Sequence, residues 1–216
     1  MWRVGQPRQL LPQVSNAPFG APVEPIGHAA STNFDGSIVV GYTTAFDRPP
    51  SDLRQVIQVP FVWTAATGTQ TPLHLGQLVR GTASDISSDG GVIVGNTANS
   101  QVFRWTALGG YEFLQFPSPP NLPKVSGDGA TVITGLTYWN LDRGVLPLTQ
   151  VLTEAGCDFS GWTITAATGI SFDGRTLCGE GIDPTGHRQG WYATVPAPSA
   201  TALLLTAVAV LRRRRR

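Results

Sequence analysis

Asp85, Ser87 and Asp89 stand at alternate positions, and oxygen-bearing side chains spaced in this way resemble the first ligands of a calcium loop. The twelfth position of such a loop is Asn96, where a bidentate Glu would normally complete the coordination shell. Three other segments repeat the Ser/Asn-x-Asp-Gly part, yet none has an acid equivalent to Asp85, so a plain Asp-Gly turn is the favoured reading. Other chemistry is sparse. The chain has no Gly-x-Ser-x-Gly elbow, His-Glu-x-x-His pair or phosphate loop. Gly179 to Gly186, GEGIDPTG, lacks dinucleotide-site spacing and reads as a loop between strands. His28, His74 and His187 are scattered over different parts of the chain. Cys157 and Cys178 are 21 positions apart, without Cys-x-x-Cys or zinc spacing, and pairing between them stays open. The expectation is a non-enzyme with no cofactor or catalytic residues.

The elements that would position these residues follow from composition and repetition. In 216 residues, 25 Gly, 17 Pro and only 13% charged side chains indicate many turns and short elements, as in an all-β domain. Net charge is +1, but five arginines sit at the very end. Without them ten Lys+Arg face fourteen Asp+Glu, leaving about −4. Nucleic-acid binding therefore has no electrostatic basis.

Four segments align: AASTNFDGSIVVG, ASDISSDGGVIVG, PKVSGDGATVITG and ATGISFDGRTLCG. Each has Ser or Asn two residues before Asp-Gly, then a β-branched run closed by Gly41, Gly95, Gly135 or Gly179. The turn residues are Asn33, Asp35 and Gly36; Ser87, Asp89 and Gly90; Ser126, Asp128 and Gly129; Ser171, Asp173 and Gly174. Asp-to-Asp steps of 54, 39 and 45 residues suit a blade-sized unit. A tight two-residue Asp-Gly turn would join two antiparallel strands, with the flanking Ser or Asn bonding the turn backbone. An aromatic strand follows, FVWT at Phe61 to Thr64 and FRWT at Phe103 to Thr106, echoed at Tyr138-Trp139 and Trp191-Tyr192. A Leu-rich strand comes next, PLHLGQL at Pro72 to Leu78 or YEFLQF at Tyr111 to Phe116. About four short strands per unit must stack on neighbouring units to bury both faces. Trp63, Trp105, Trp139 and Trp191 recur once per unit, which suits packing between units. Trp162 falls outside that register and is the better candidate for an exposed, carbohydrate-facing ring.

These repeats, over roughly residues 28 to 195, resemble the HAF family of extracellular repeats. The shared features are the Ser-x-Asp-Gly turn, the Val-Val-Gly strand and the Phe-x-Trp-Thr strand. The resemblance implies a surface location and a propeller-like fold, and no established reaction.

The carboxy terminus carries its own signal. Val195, Pro196, Ala197, Pro198 and Ser199 lead into an uncharged run from Ala200 to Leu211, which stops at Arg212, Arg213, Arg214, Arg215 and Arg216. Twelve helical residues rise ~18 Å, short of a ~30 Å hydrocarbon core, so flanking residues and snorkelling arginine stems would extend the span. The arginine block favours the cytoplasmic side. This tail resembles the PEP-CTERM sorting signal of exported bacterial proteins, with Ala197 where that signal usually has Glu. The resemblance implies an exosortase-type membrane transpeptidase that removes the tail.

The expected organisation is a partial repeat at 1–25, a β-repeat domain of about four blade-like units at 26–195, a Pro-rich linker at 196–199, and an apolar helix with its arginine cluster at 200–216. Met1 to Pro25 lacks a basic start followed by an apolar stretch. MWRVGQPRQLLP instead fits the second half of a repeat, with Trp2 in the place of Trp105, so the expectation is that another repeat lies upstream. The fold class expected is all-β, with antiparallel four-stranded repeats forming a β-propeller or a fragment of one, plus the short terminal helix. The function expected is a structural or interaction role at the cell surface or extracellular matrix, reached through an inner-membrane intermediate. The alternatives are a carbohydrate- or ligand-binding module, with extracellular polysaccharide as the partner, and a polysaccharide hydrolase or lyase.

Overall fold

Asp-Gly turns and β-branched runs alternate along the chain, and the structure follows that punctuation. A computed structural model describes residues 27–47, 55–74, 77–117 and 121–195. The first sheet contains β1 (Gly27–Thr32), β2 (Ile38–Asp47), β3 (Gln55–Thr64) and β4 (Gly68–Gln70). A two-stranded hairpin of β5 (Leu73–His74) and β6 (Gln77–Leu78) comes next. The second sheet contains β7 (Gly81–Ile86), β8 (Ile93–Thr97), β9 (Val102–Thr106) and β10 (Gly110–Leu114). The third contains β11 (Lys124–Val125), β12 (Thr131–Thr134), β13 (Thr137–Asn140) and β14 (Gly144–Pro147). Helix α1 (Leu148–Glu154) leads to a three-stranded sheet of β15 (Thr163–Ile170), β16 (Thr176–Ile182) and β17 (Arg188–Thr194). Every sheet is an antiparallel meander in chain order, so the described fold is all-β with one short helix.

The opening strand of each sheet packs on the sheet before it: β7 on β1, β2 and β3, β11 on β7 and β8, and β15 on β11 and β12. Side-chain alternation explains why the middle sheets are apolar on both faces. On β8, Ile93 joins Val40, Ala83 and Phe103 between the first and second sheets, while Val94 joins Val102, Leu114, Val132 and Trp139 between the second and third. On β12, Ile133 turns the other way, into a cluster with Leu148, Leu152, Leu177 and Trp191.

The Asp-Gly turns are wider than the two-residue turns expected. Ser87 N–H donates to the Val92 carbonyl and Gly90 N–H to the Ser87 carbonyl, enclosing four residues between the strands. Among the described residues at φ above zero only Ser100 is not glycine, so the turn aspartates keep ordinary negative φ and only the glycine enters the left-handed region. Side chains stabilise this wider loop. The fully buried Ser87 hydroxyl donates to Asp89 Oδ1 at 2.6 Å and accepts from Val92 N–H at 2.9 Å, while Gly91 N–H donates to the same carboxylate oxygen. Ser126 with Asp128 and Ser171 with Asp173 repeat the pattern, and Asn33 substitutes its amide oxygen, accepting from Ile38 N–H.

The turns also bond to one another. Phe34 N–H donates to the Ser88 carbonyl, Ser88 N–H to the Gly127 carbonyl, and Asp128 N–H to the Phe172 carbonyl, all at 2.9–3.0 Å. A row of main-chain bonds thus joins four consecutive turns.

Hydroxyl and amide donors hold Asp35, Asp89 and Asp173 below the ordinary carboxylate value of 3.8, with Ser37, Ser87 and Ser171 the leading cause in turn. A carboxylate depressed in the folded state contributes stability that is complete above its unfolded value and is lost as pH falls through the folded one. The thermal midpoint, followed by circular dichroism, is therefore expected to stay level from about pH 7 to about pH 5 and to fall below about pH 4. A midpoint that stayed level down to about pH 2 would contradict this role.

Several local expectations are corrected. Pro72 to Leu78 is not the fourth strand of its sheet, because β4 already pairs with β3 and the Leu-rich stretch turns back on itself as β5 and β6. Gly135 is not equivalent to Gly41, Gly95 and Gly179. It takes φ 53° in the turn between β12 and β13, and Thr134 pairs with Thr137 beside that turn. Trp63, Trp105 and Trp139 lie opposite Val39, Ile93 and Val132, whereas Trp191 lies opposite Gly179, in register with Phe61 opposite Gly41 and Phe103 opposite Gly95. GEGIDPTG is only half loop, since Gly179–Ile182 completes β16.

Candidate functional site

The candidate calcium ligands do not share a focus. Asp89 is engaged inside its own turn by Ser87 and Gly91. Asp85, on β7, uses its two oxygens on different sheets: Oδ1 accepts from the Ser31 hydroxyl at 2.7 Å and Oδ2 from Val125 N–H at 3.1 Å. It ties three adjacent sheets together. Asn96 Nδ2 reaches the Asn121 carbonyl at 3.4 Å. Among the described residues, no three or more of His, Cys, Asp and Glu come together as a metal cluster would require. Asp85→Ala is expected to cost about 1–3 kcal/mol, since the Val125 N–H loses its acceptor. Urea unfolding with and without millimolar calcium checks this. A midpoint of the parent protein that rises with calcium and no longer does so in the variant would contradict the tie.

A cleft of about 390 Å³ lies where α1 and the following segment meet the fourth sheet. Its shape starts from the end of α1. Gly156, at φ 77°, donates its N–H to the Thr153 carbonyl and Cys157 donates to the Leu152 carbonyl, the paired bonds of a Schellman ending. Leu148, Val151 and Leu152 anchor the helix in the core, leaving Thr149 and Thr153 on its outer face. Asp158 then accepts from both Ser160 N–H (2.9 Å) and Ser160 Oγ (2.6 Å), which lowers its pKa, hydroxyl first. Trp162 N–H returns to the Phe159 carbonyl, and the two rings meet edge to face at 6.5 Å. Thr149, Thr153, Asp158, Phe159, Ser160 and Trp162 all line the cleft. Gly156→Ala is expected to cost about 1–2 kcal/mol, because an L side chain enters the left-handed region, and to lower the melting midpoint by about 2–8 °C in a scanning calorimeter.

The sequence singled out Trp162 as a candidate exposed ring; the structure instead half-buries it against the core cluster beside α1 and leaves part of it on the wall of this cleft. Helix α1 carried no such signal, having neither an N-cap side chain nor an acidic residue in its first turn. The histidines stay apart: His28 stacks on Tyr42 at 4.9 Å, His187 Nδ1 bonds the Thr185 hydroxyl, and His74 lies on β5. Cys157 and Cys178 are both free thiols. Val195 is buried, and its N–H donates to the Arg175 carbonyl. Pro196 to Ser199, the apolar run 200–211 and Arg212 to Arg216 lie outside the described residues, as does the partial repeat expected at 1–25. Among the described residues no helix is long and apolar enough to cross a membrane.

No protein family and no curated protein matches the sequence. Among solved structures, the chain is similar to TolB from Acinetobacter baumannii, with 12% identity and a TM-score of 0.42. The similarity covers 83% of this chain and 44% of that one, so the chain spans less than half of TolB's length.

Proposed function

We propose that the chain is a non-catalytic interaction module of the cell surface or extracellular matrix, built from propeller-type blades and delivered by its carboxy-terminal sorting signal. The observation that carries the non-catalytic part is how the carboxylates are used. The repeat acids Asp89, Asp128 and Asp173 each bond the hydroxyl two residues before them, and Asp85 ties neighbouring sheets. Glu112, Glu154 and Glu180 pair with Arg104, Arg143 and Arg188. A hydrolase would instead need two carboxyl groups facing one cleft. Three four-stranded antiparallel meanders and a three-stranded one follow in chain order, the second to fourth each packed by its opening strand on the one before, and this succession supports the blade reading.

Delivery rests on the order of the tail: Val195 to Ser199, then the apolar run, then Arg212 to Arg216. In this reading the tail is held in the inner membrane with its arginines cytoplasmic, and an exosortase-type transpeptidase cuts it there. The test is to place the full chain behind a foreign export signal in a host that has such an enzyme. Loss of the tail from the surface fraction is expected, and a chain lacking Arg212 to Arg216 should stay uncut. Equal processing of the two chains would refute the sorting role.

A further inference from the structure

The cleft beside α1 combines features of a ligand site: Phe159 and Trp162 pack on the core from one side, while Thr149, Thr153, Asp158 and Ser160 are exposed along its edge. Its volume falls within the range of about 300–1,000 Å³ found for small-molecule sites. Two kinds of wall face it. Phe159 and Trp162 supply apolar ring surface, with their planes at 81° to one another. Thr149 and Thr153 supply hydroxyls one helical turn apart and therefore on the same face. Thr153 donates to the Thr149 carbonyl, so its oxygen is left to accept. Asp158 holds Ser160 through Oδ1, which leaves Oδ2 as a fixed acceptor at the rim. The Schellman ending and the Asp158–Ser160 bonds fix these groups before any ligand arrives, which reduces the ordering cost of binding.

We propose that this cleft binds an uncharged sugar unit of a glycan chain. The C–H face of a pyranose would lie on the Trp162 ring, and its hydroxyls would donate to Asp158 and Thr153 and exchange hydrogen bonds with Thr149. Among the described residues no Lys or Arg lines the cleft to offset Asp158, so an anionic uronate is a poorer occupant. A purely apolar ligand would cover Asp158 Oδ2 and the Thr149 hydroxyl without offering either a hydrogen bond. The inference concerns binding alone and does not rest on export, so it stands or falls separately from the sorting role.

The test is isothermal titration of the full chain with cellotetraose, with N-acetylchitotetraose and with tetragalacturonate. At least one of the two uncharged oligosaccharides is expected to bind, and tetragalacturonate to bind about ten-fold more weakly or worse. Asp158→Asn and Thr149→Val change exposed residues that the core does not use, and each is expected to weaken binding by about three- to ten-fold. Trp162→Ala should abolish binding, with circular dichroism confirming the fold. Tyr192→Ala, which removes an exposed ring elsewhere, should leave affinity unchanged. The proposal is overturned if neither uncharged oligosaccharide gives heat at about 10 mM, a concentration at which even millimolar affinity saturates. It is equally overturned if tetragalacturonate binds as tightly as they do, or if the Asp158→Asn and Thr149→Val proteins bind as tightly as the parent.

Discussion

Gly95→Ala is expected to destabilise the fold by about 3 kcal/mol, lowering the melting midpoint by about 6–12 °C. A Cβ at this position would stand 2.0 Å from the Thr82 carbonyl oxygen and 2.5 Å from Phe103 Cζ. Neither obstacle can retreat easily. The Thr82 carbonyl belongs to β7 beside its irregularity between Ala83 and Asp85, and Phe103 is among the largest fully buried side chains. Gly41 and Gly179 face the His28 and Ala166 carbonyls in the same way, which explains why three repeats close their β-branched run with glycine. Gly190→Ala is the control. Its nearest neighbour would be a carbonyl 3.8 Å away, and a change within about 0.5 kcal/mol is expected. Equal losses in the two variants, measured by urea unfolding, would remove this explanation of the repeat.

Gly129→Ala is expected to cost about 2–4 kcal/mol, from two sources that can be separated. The residue has φ 73°, and a Cβ there would also come within 2.6 Å of Val92 Cγ2, at the end of the preceding repeat's turn just before β8. Val92 is buried and β-branched, so it cannot rotate aside at low cost. Combining Gly129→Ala with Val92→Ala should relieve the steric part and leave the backbone part, so the double variant should be less damaged than the two single losses together. Strict additivity would mean that the turn glycine serves its own backbone only. Gly90 and Gly174 nest against Ile38 and Thr131 at the equivalent positions, so the same glycine both closes its turn and admits the neighbouring sheet.

Local features were legible in the sequence because local chemistry fixes them. Ser87, Asp89 and Gly90 stand within four residues and bond one another, so the turn can be read from spacing alone. The β-branched runs after each turn became β2, β8, β12 and β16. Asp85 was misleading for the complementary reason: its partners Ser31 and Val125 are 54 and 40 residues away, and nothing local announces them. Trp191 looked like one more member of the tryptophan series, but pairing sets its register with Gly179, and Ala193 takes the position opposite Leu177. The cleft was the least legible feature. It depends on a seven-residue helix without a capping side chain and on a loop that meets it only in three dimensions.

The repeat acids and turns serve the architecture, with the turns bonded into a row. Residue-resolved amide hydrogen exchange on the full chain, with and without millimolar calcium, addresses that directly. Phe34, Ser88 and Asp128 are expected to exchange slowly in both conditions, because each donates its N–H to a carbonyl of the next turn. Fast exchange at these three amides without calcium, followed by protection when calcium is added, would contradict it and return Asp85, Ser87 and Asp89 to the role of metal ligands.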